Sequence, residues 1–241
     1  MSETDKFYTL FAQKHPEISK LGTTIQKIVE LRGWQPALPL IQPNFERILS
    51  ELRVFYIPKP MPPGPMLVFP IRDIDGTYPY AQTKPLPGSP CEFNSGGIPM
   101  KYCRIGRMEP VGPQWLGNSP EMLQRIILLR MVLLVEGPFD LLACRLLMPE
   151  APVLTPLTKR MGEEHEAYLR MLGITRLYLM YDNEATGKGQ ASMDYQAKTL
   201  TFVPVQKMYC PERVEDPSFA LKKLRTAEDL QKRLRAAFSQ R

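Results

Sequence analysis

Histidine and paired cysteine are scarce in this 241-residue chain. Its histidines are His15 and His165, and its four cysteines, Cys91, Cys103, Cys144 and Cys210, form no CxxC pair. A structural zinc site needs closely spaced Cys/His ligands, so none is expected. Four dispersed thiols do not make a disulfide framework in a chain this long, and a reduced, cytoplasmic setting suits them. Long hydrophobic runs are absent too. The longest, Ile126 to Val135, is ten residues and is interrupted by Arg130, which is about half of what a bilayer span requires. The N-terminal MSETDKFYTL has acids and no apolar stretch, so neither a secretory leader nor a membrane partner is expected. Glycine is outnumbered by proline, 15 to 25, and 17 of the prolines fall between Gln35 and Glu121. That half of the chain is therefore expected to be irregular.

What is present suits a soluble globular protein: 44% hydrophobic and 23% charged residues, with a net charge of +6. Four stretches differ in character. Residues 1–53 read as a helical segment, with apolar spacing over Lys6–Lys14 and Thr23–Arg32 and a third helix at Asn44–Arg53, where Asn44 is placed to act as N-cap. Residues 54–120 read as a proline-rich α+β subdomain. PKPMPPGP is a loop, MLVFPIRDIDGTYPYAQTKP a hairpin turning at Asp75-Gly76, and MKYCRIGR a basic strand with Lys101, Arg104 and Arg107. Residues 121–210 alternate apolar strands (MVLLVE, APVLT, RLYLMYD, FVPVQ) with helices over Phe139–Leu147, Lys159–Leu172 and Gly189–Thr199. This alternation predicts an α/β fold with a parallel sheet covered on both faces. Residues 211–241 hold an Asp-Pro element and a basic helix, Thr226–Phe238; from Lys222 on there are seven Lys/Arg against Glu228 and Asp229.

In a parallel sheet, ligands bind beyond the carboxyl ends of the strands. Two strands here end in acid, one at Glu136 and one at Asp182, with Glu184 two residues on. Brought together, such carboxylates repel one another unless a cation neutralises them, and oxygen-only ligands suit Mg²⁺ or Mn²⁺. Acids in these positions also cap helix N-termini, so both readings stand on spacing alone. His165 reads as a helix-surface residue, and Trp34 and Trp115 as packing under loops.

LLVEGPFDLLACRLL and the following VLTPLTKRMGEEHEAYLRMLGITRLYLMYDNEATGKGQAS resemble the TOPRIM domain, with its EGxxD and D-x-D strand ends, in the form found in bacterial and phage DnaG-type primases. FPIRD in the hairpin, the Lys-Tyr of MKYCRIGR and the Asp-Pro of VEDPSFAL extend the likeness over residues 45–220. The resemblance implies a TOPRIM, Rossmann-like parallel-sheet domain with a smaller α+β subdomain before it, and a DNA primase activity that joins nucleotides on a single-stranded DNA template. It assigns catalysis to Glu136, Asp182 and Glu184, and metal binding to these with Asp140 and Asp216. Arg72, Lys84, Lys101 and Arg104 are set towards template or nucleoside triphosphate; Lys188, read from the sequence apart from the resemblance, is either a further phosphate contact or a solvated surface residue. The sequence departs from the pattern at Glu184, in place of the second D-x-D acid, at Ser218, in place of a second acid after Asp-Pro, and at AQTK (81–84). Neither the family's zinc ribbon nor its helicase-binding domain accompanies the core, so a replicative helicase or zinc-ribbon protein acting in trans is an expected partner. The same carboxylates would also serve a TOPRIM nuclease or RNA-processing enzyme, and the basic cleft a non-catalytic nucleic-acid-binding module.

Overall fold

Buried Thr24, Ile25, Ile28 and Val29 make the inner face of the first helix among the described residues, α1 (Leu21–Arg32). The protein is described from a computed structural model comprising residues 21–59, 64–105, 112–158 and 160–238. The helix expected at Lys6–Lys14, His15, Arg107 and Lys159 lie outside the described residues.

After α1, prolines cut the chain into short pieces. Pro36, Pro39 and Pro43 each sit in the first two positions of a single turn: a 3₁₀ turn at Gln35–Ala37, α2 (Leu38–Ile41) and a second 3₁₀ turn at Gln42–Asn44. Proline is tolerated at a helix start but not in its interior, so no long helix can form here. α3 (Phe45–Leu52) follows and buries Phe45, Ile48, Leu49 and Leu52. Asn44 does not cap it as expected; its side-chain amide instead donates to the Leu146 carbonyl at 2.7 Å, tying the two halves of the molecule together.

The proline-rich region forms an antiparallel sheet in the order β1 (Phe55–Ile57), β2 (Met66–Ile71), β3 (Tyr80–Pro85), β4 (Cys103–Ile105). The expected hairpin is β2–β3, and Asp75 shapes its turn by accepting from the Thr77 amide and hydroxyl at 2.8 and 2.7 Å. Register pairs Leu67 with Lys84, Phe69 with Gln82 and Ile71 with Tyr80. That row faces the main core, where Phe69 meets Phe139 edge-on at 5.3 Å. The alternate row, Met66, Val68 and Ala81, packs with Ile57 in a separate small cluster on the opposite face.

The second half is α4 (Pro120–Leu129), β5 (Met131–Val135), α5 (Pro138–Leu147), β6 (Val153–Leu154), α6 (Glu163–Met171), β7 (Arg176–Met180), α7 (Lys188–Thr199), β8 (Val205–Lys207), α8 (Pro217–Ala220) and α9 (Leu224–Phe238). The strands form a parallel sheet in the order β6-β5-β7-β8. β5 and β7 occupy its centre and are buried over four of their five residues, the continuous apolar pattern of strands covered on both faces. α5, buried at all ten positions, lies between the sheet and a layer made by α1, α3 and α9. The opposite face is covered by Met122 and Ile126 of α4, Tyr168 and Leu169 of α6 and Met193 of α7. The fold is thus α/β with an antiparallel annex. The strand expected at 202–206 is shifted to Val205–Lys207. α4 was not foreseen, although its signals are present: the Ser119 hydroxyl caps the Met122 amide at 3.2 Å, and Pro120 opens the helix.

A buried ion pair joins the halves. Arg145 of α5, 1% exposed, reaches Glu51 of α3 at 2.6 Å, and the Ser119 hydroxyl donates to the second Glu51 oxygen at 2.7 Å. Among the described residues, no helix is long and apolar enough to cross a membrane.

Candidate active site

β5 runs out at Val135 and hands Glu136 and Gly137 to the start of α5, which places Asp140 in that helix's first turn. One Asp140 oxygen accepts from the Gly137 amide at 3.0 Å; the other accepts from the Ser218 amide at 3.3 Å. The carboxylate therefore closes the turn after β5 and clasps the Asp-Pro element to it. β7 delivers Asp182 just beyond its end, and the Asn183 amide donates to the Glu215 carbonyl at 2.6 Å. Asp216 in turn caps α8, its Oδ1 accepting from the Phe219 amide at 2.5 Å. The outcome is convergence: Asp140, Asp182 and Asp216 each offer a carboxylate oxygen, all within 4.8 Å of one another.

Glycine is obligatory at one point. A Cβ on Gly189, in the first turn of α7, would stand 1.9 Å from the Asp182 carbonyl oxygen. Only a residue with no side chain lets α7 begin this close to the acid.

Burial pushes the Asp140 carboxyl well above the usual carboxylate range, and the neighbouring Asp216 and Asp182 push it further in the same direction. Ser218 and Arg32 pull the other way without prevailing. Three clustered carboxylates with no soft ligand are the donor set of a hard divalent cation such as Mg²⁺ or Mn²⁺. The residues present fit such an ion.

These acids line a cleft of about 240 Å³ together with Glu136, and Arg32 and Lys101 line it as well. Arg32, the last residue of α1, was not foreseen. Its Nε donates to the Ser218 hydroxyl at 2.8 Å and its Nη2 to the same oxygen, while the guanidinium lies 4.7 Å from the centre of the Phe139 ring. Trp34 fixes the same element by donating Nε1 to the Ser218 carbonyl at 2.8 Å. Lys84 belongs to this basic group: burial, then Arg32, then Lys101 hold its ammonium below the ordinary lysine range. Gln82 and Tyr102 complete that wall, and the Tyr102 phenol is pushed up by burial and then by Asp140. Beside Glu136, the Thr155 hydroxyl donates to the Glu136 carbonyl at 3.0 Å and accepts from the Leu157 amide at 3.1 Å, which seats Leu157 and Thr158 in the lining.

Of the residues expected from sequence, Glu136, Asp140, Asp182, Asp216 and Lys101 are thus brought together. Glu184 is half-buried in the turn after Asp182 and does not line the cleft; its carbonyl accepts from the Gly187 amide at 2.9 Å. Arg104 is exposed on β4, its guanidinium 4.1 Å from the Tyr80 ring centre, and Lys188 is exposed at the first position of α7. Arg72 is engaged elsewhere. Its Nη1 donates to the Asn118 carbonyl and the Asn118 amide donates back to the Arg72 carbonyl, both at 3.0 Å, which locks the hairpin to the segment leading into α4. His165 is not a solvated helix-surface residue. It is half-buried, edge-on to Trp115 at 5.0 Å, and burial lowers its pKa.

No protein-family model and no curated protein matches the sequence. Solved structures do match the fold. The zinc-binding and RNA polymerase domains of the Aquifex aeolicus primase superpose with a TM-score of 0.57 at 20% identity, over 80% of this chain and 49% of that one. The E. coli primase catalytic core gives a TM-score of 0.58 at 17% identity, over 95% and 78%. A DnaG primase catalytic domain bound to single-stranded DNA gives 0.60 at 16%, over 90% and 73%. This chain spans about half the length of the Aquifex structure.

Proposed function

We propose that this chain, built on the fold of a DnaG-type primase catalytic core, is a metal-dependent nucleotidyltransferase that makes short primers on single-stranded DNA. The observation that supports this reading above others is the presence of two charge groups in the lining of one cleft. Three aspartates lie within 4.8 Å of one another, and Arg32 and Lys101 line the same cavity. A triphosphate approaching Asp140, Asp182 and Asp216 needs both, cation-binding acids at the reacting phosphorus and fixed positive charge along the phosphates.

In this reading residues 121–210 form the TOPRIM part, which carries most of the acids. Residues 54–120 form the basic subdomain, and residues 211–241 contribute Asp216. A divalent cation, Mg²⁺ or Mn²⁺, held by Asp140, Asp182 and Asp216, supplies Lewis-acid neutralisation of the phosphate charge when bound. Glu184 is reserved for a second cation. Arg32, Lys84 and Lys101 hold the triphosphate of the incoming nucleotide, Arg32 with its plane set by Phe139 and Ser218. Glu136 takes the proton of the primer 3′-hydroxyl. The oxygen then forms its bond to the α-phosphorus as the bond to pyrophosphate breaks. Arg104 and Lys188 lie outside the cleft lining and are assigned to template phosphates, so template binding should weaken steeply with salt.

The test is to incubate the protein with single-stranded DNA, labelled NTPs or dNTPs, and Mg²⁺ or Mn²⁺. Short products that disappear in Glu136→Gln are expected. Shortening of the DNA would establish a nuclease instead, and binding with no change to either substrate would establish a non-catalytic module.

A further inference from the structure

The chain does not turn directly from β3 into β4. It leaves Pro85, runs out to a tip near Gly96 and returns to Cys103. This excursion is built as a tongue. Phe93 and Pro99 form an antiparallel bridge, the Asn94 amide donates to the Ile98 carbonyl at 2.9 Å, and the Met100 amide donates to the Glu92 carbonyl at 2.8 Å. The Asn94 side-chain oxygen closes the tip by accepting from the Gly96 and Ile98 amides, each at 2.9 Å.

The tongue displays what a protein normally hides. Phe93 is 51% exposed and Ile98 62% exposed. One exposed apolar residue needs no explanation. Here two are held out on a hydrogen-bonded support, with the exposed Pro99 bridged opposite Phe93.

The position of the tongue identifies what it meets. Two residues beyond Pro99, the chain reaches Lys101 and Tyr102, both of which line the acidic cleft. The neighbouring strands add Lys84 and Arg104. The one acid within the tongue, Glu92, is already committed, accepting from the Gly88 amide at 2.7 Å. An exposed aromatic and apolar tip followed along the chain by basic side chains is complementary to a polyanion with exposed aromatic faces. A protein partner would need a wider apolar patch than Phe93, Ile98 and Pro99 provide.

We propose that the Phe93–Pro99 tongue is a stacking ledge for an unpaired base of single-stranded nucleic acid whose backbone continues past Lys101 into the cleft. The inference rests on the nucleotidyltransferase reading only in taking the cleft to receive a single strand. Phe93 supplies the base contact and is sequence-tolerant, because every base has a π face.

The experiment measures binding of labelled oligo(dT) and of an abasic sugar-phosphate strand of equal length. The proteins compared are the native chain, Phe93→Ala, Phe93→Trp and Lys101→Ala. Phe93→Ala should bind oligo(dT) about tenfold more weakly with an unchanged melting temperature, and should bind the abasic strand like the native chain. Phe93→Trp should restore affinity, and oligo(dT) should quench its new exposed emission, since Trp34 and Trp115 are both fully buried. If Phe93→Ala binds oligo(dT) as well as the native chain while Lys101→Ala does not, the cleft reading survives and the ledge is refuted. Equal weakening on the abasic strand also refutes stacking. If the native chain binds neither strand, the nucleic-acid reading fails and the ledge with it.

Discussion

Arg32, at the end of α1, donates to the hydroxyl of Ser218 from two of its nitrogens, across the interface between the N-terminal helices and the Asp-Pro element. Ser218 is a neutral acceptor, so this contact orients the guanidinium without itself supplying a countercharge. Arg32→Lys keeps the charge but loses the planar two-nitrogen contact and the stack on Phe139. The KM for nucleoside triphosphate should rise roughly tenfold, equivalent to about 1.4 kcal/mol, with little change in the urea midpoint. Steady-state kinetics beside an unfolding curve decides it.

Asp182 is one of three clustered carboxylates, and its charge helps to push the Asp140 carboxyl up, so neutralising it relieves repulsion in the cluster. In chelator, Asp182→Asn should be more stable than the native chain by about 1 kcal/mol, and inactive. Magnesium should raise the native melting temperature by several degrees, because a ligand that binds only the folded state stabilises it. The variant should lose most of that increase. Calorimetry with and without Mg²⁺ gives both numbers.

Gly189→Ala adds one methyl group where the Asp182 carbonyl oxygen is only 1.9 Å away. The start of α7 or the turn at Asp182 has to move, at a cost of about 1–3 kcal/mol. Because the displaced residue carries a cluster carboxylate, activity should fall further than stability. Gly187→Ala, which meets no atom within 4 Å but sits at φ 68°, should lose stability without a comparable loss of metal response.

Arg145 and Glu51 form the buried pair between α5 and α3. Removing only the arginine leaves a carboxylate in a largely enclosed site, and Arg145→Ala should cost about 3–5 kcal/mol. The double variant Arg145→Met, Glu51→Leu should recover most of it. The pair also sets a pH dependence. Burial tends to raise the Glu51 pKa, but attraction to Arg145 and hydrogen bonds from Arg145 and Ser119 outweigh it, and the net shift is downward. A carboxyl lowered in the folded state contributes stability that is full above its unfolded pKa of about 4.3 and is lost as pH falls through the folded value. Acid unfolding should therefore start at a higher pH in Glu51→Gln than in the native chain.

The parts of this site readable in sequence are those that lie on buried parallel strands. MVLLV and RLYLM are uninterrupted apolar runs because both faces of their sheet are covered, so the acids that end them mark the top of the sheet. Asp216 could be foreseen from its Asp-Pro motif. Arg32 could not: it ends an amphipathic helix in an ordinary way, and only the packing of α1 against the layer holding α5 and α8 brings it to the acids. Arg72 misleads for the converse reason. Its place in FPIRD points to the cleft, yet its backbone is bridged to Trp115 and its side chain is taken by Asn118. His165 and Asn44 show the same limit, because neither Trp115 nor the Leu146 carbonyl is near them in sequence.

Asp140 contacts the Ser218 amide across a long span of intervening chain, and Trp34 and Arg32 reach the same serine from the opposite end of the sequence. During synthesis, then, Glu136 and Asp140 leave the ribosome well before Ser218 exists to close over them. A nascent chain stalled before Asp216 carries Asp140 and Asp182 with their clasp missing, and its Arg32 has the Phe139 ring but not the Ser218 hydroxyl to hold it. The lining of the cleft is complete only once Asp216 has been made, long after Glu136, Asp140 and Asp182.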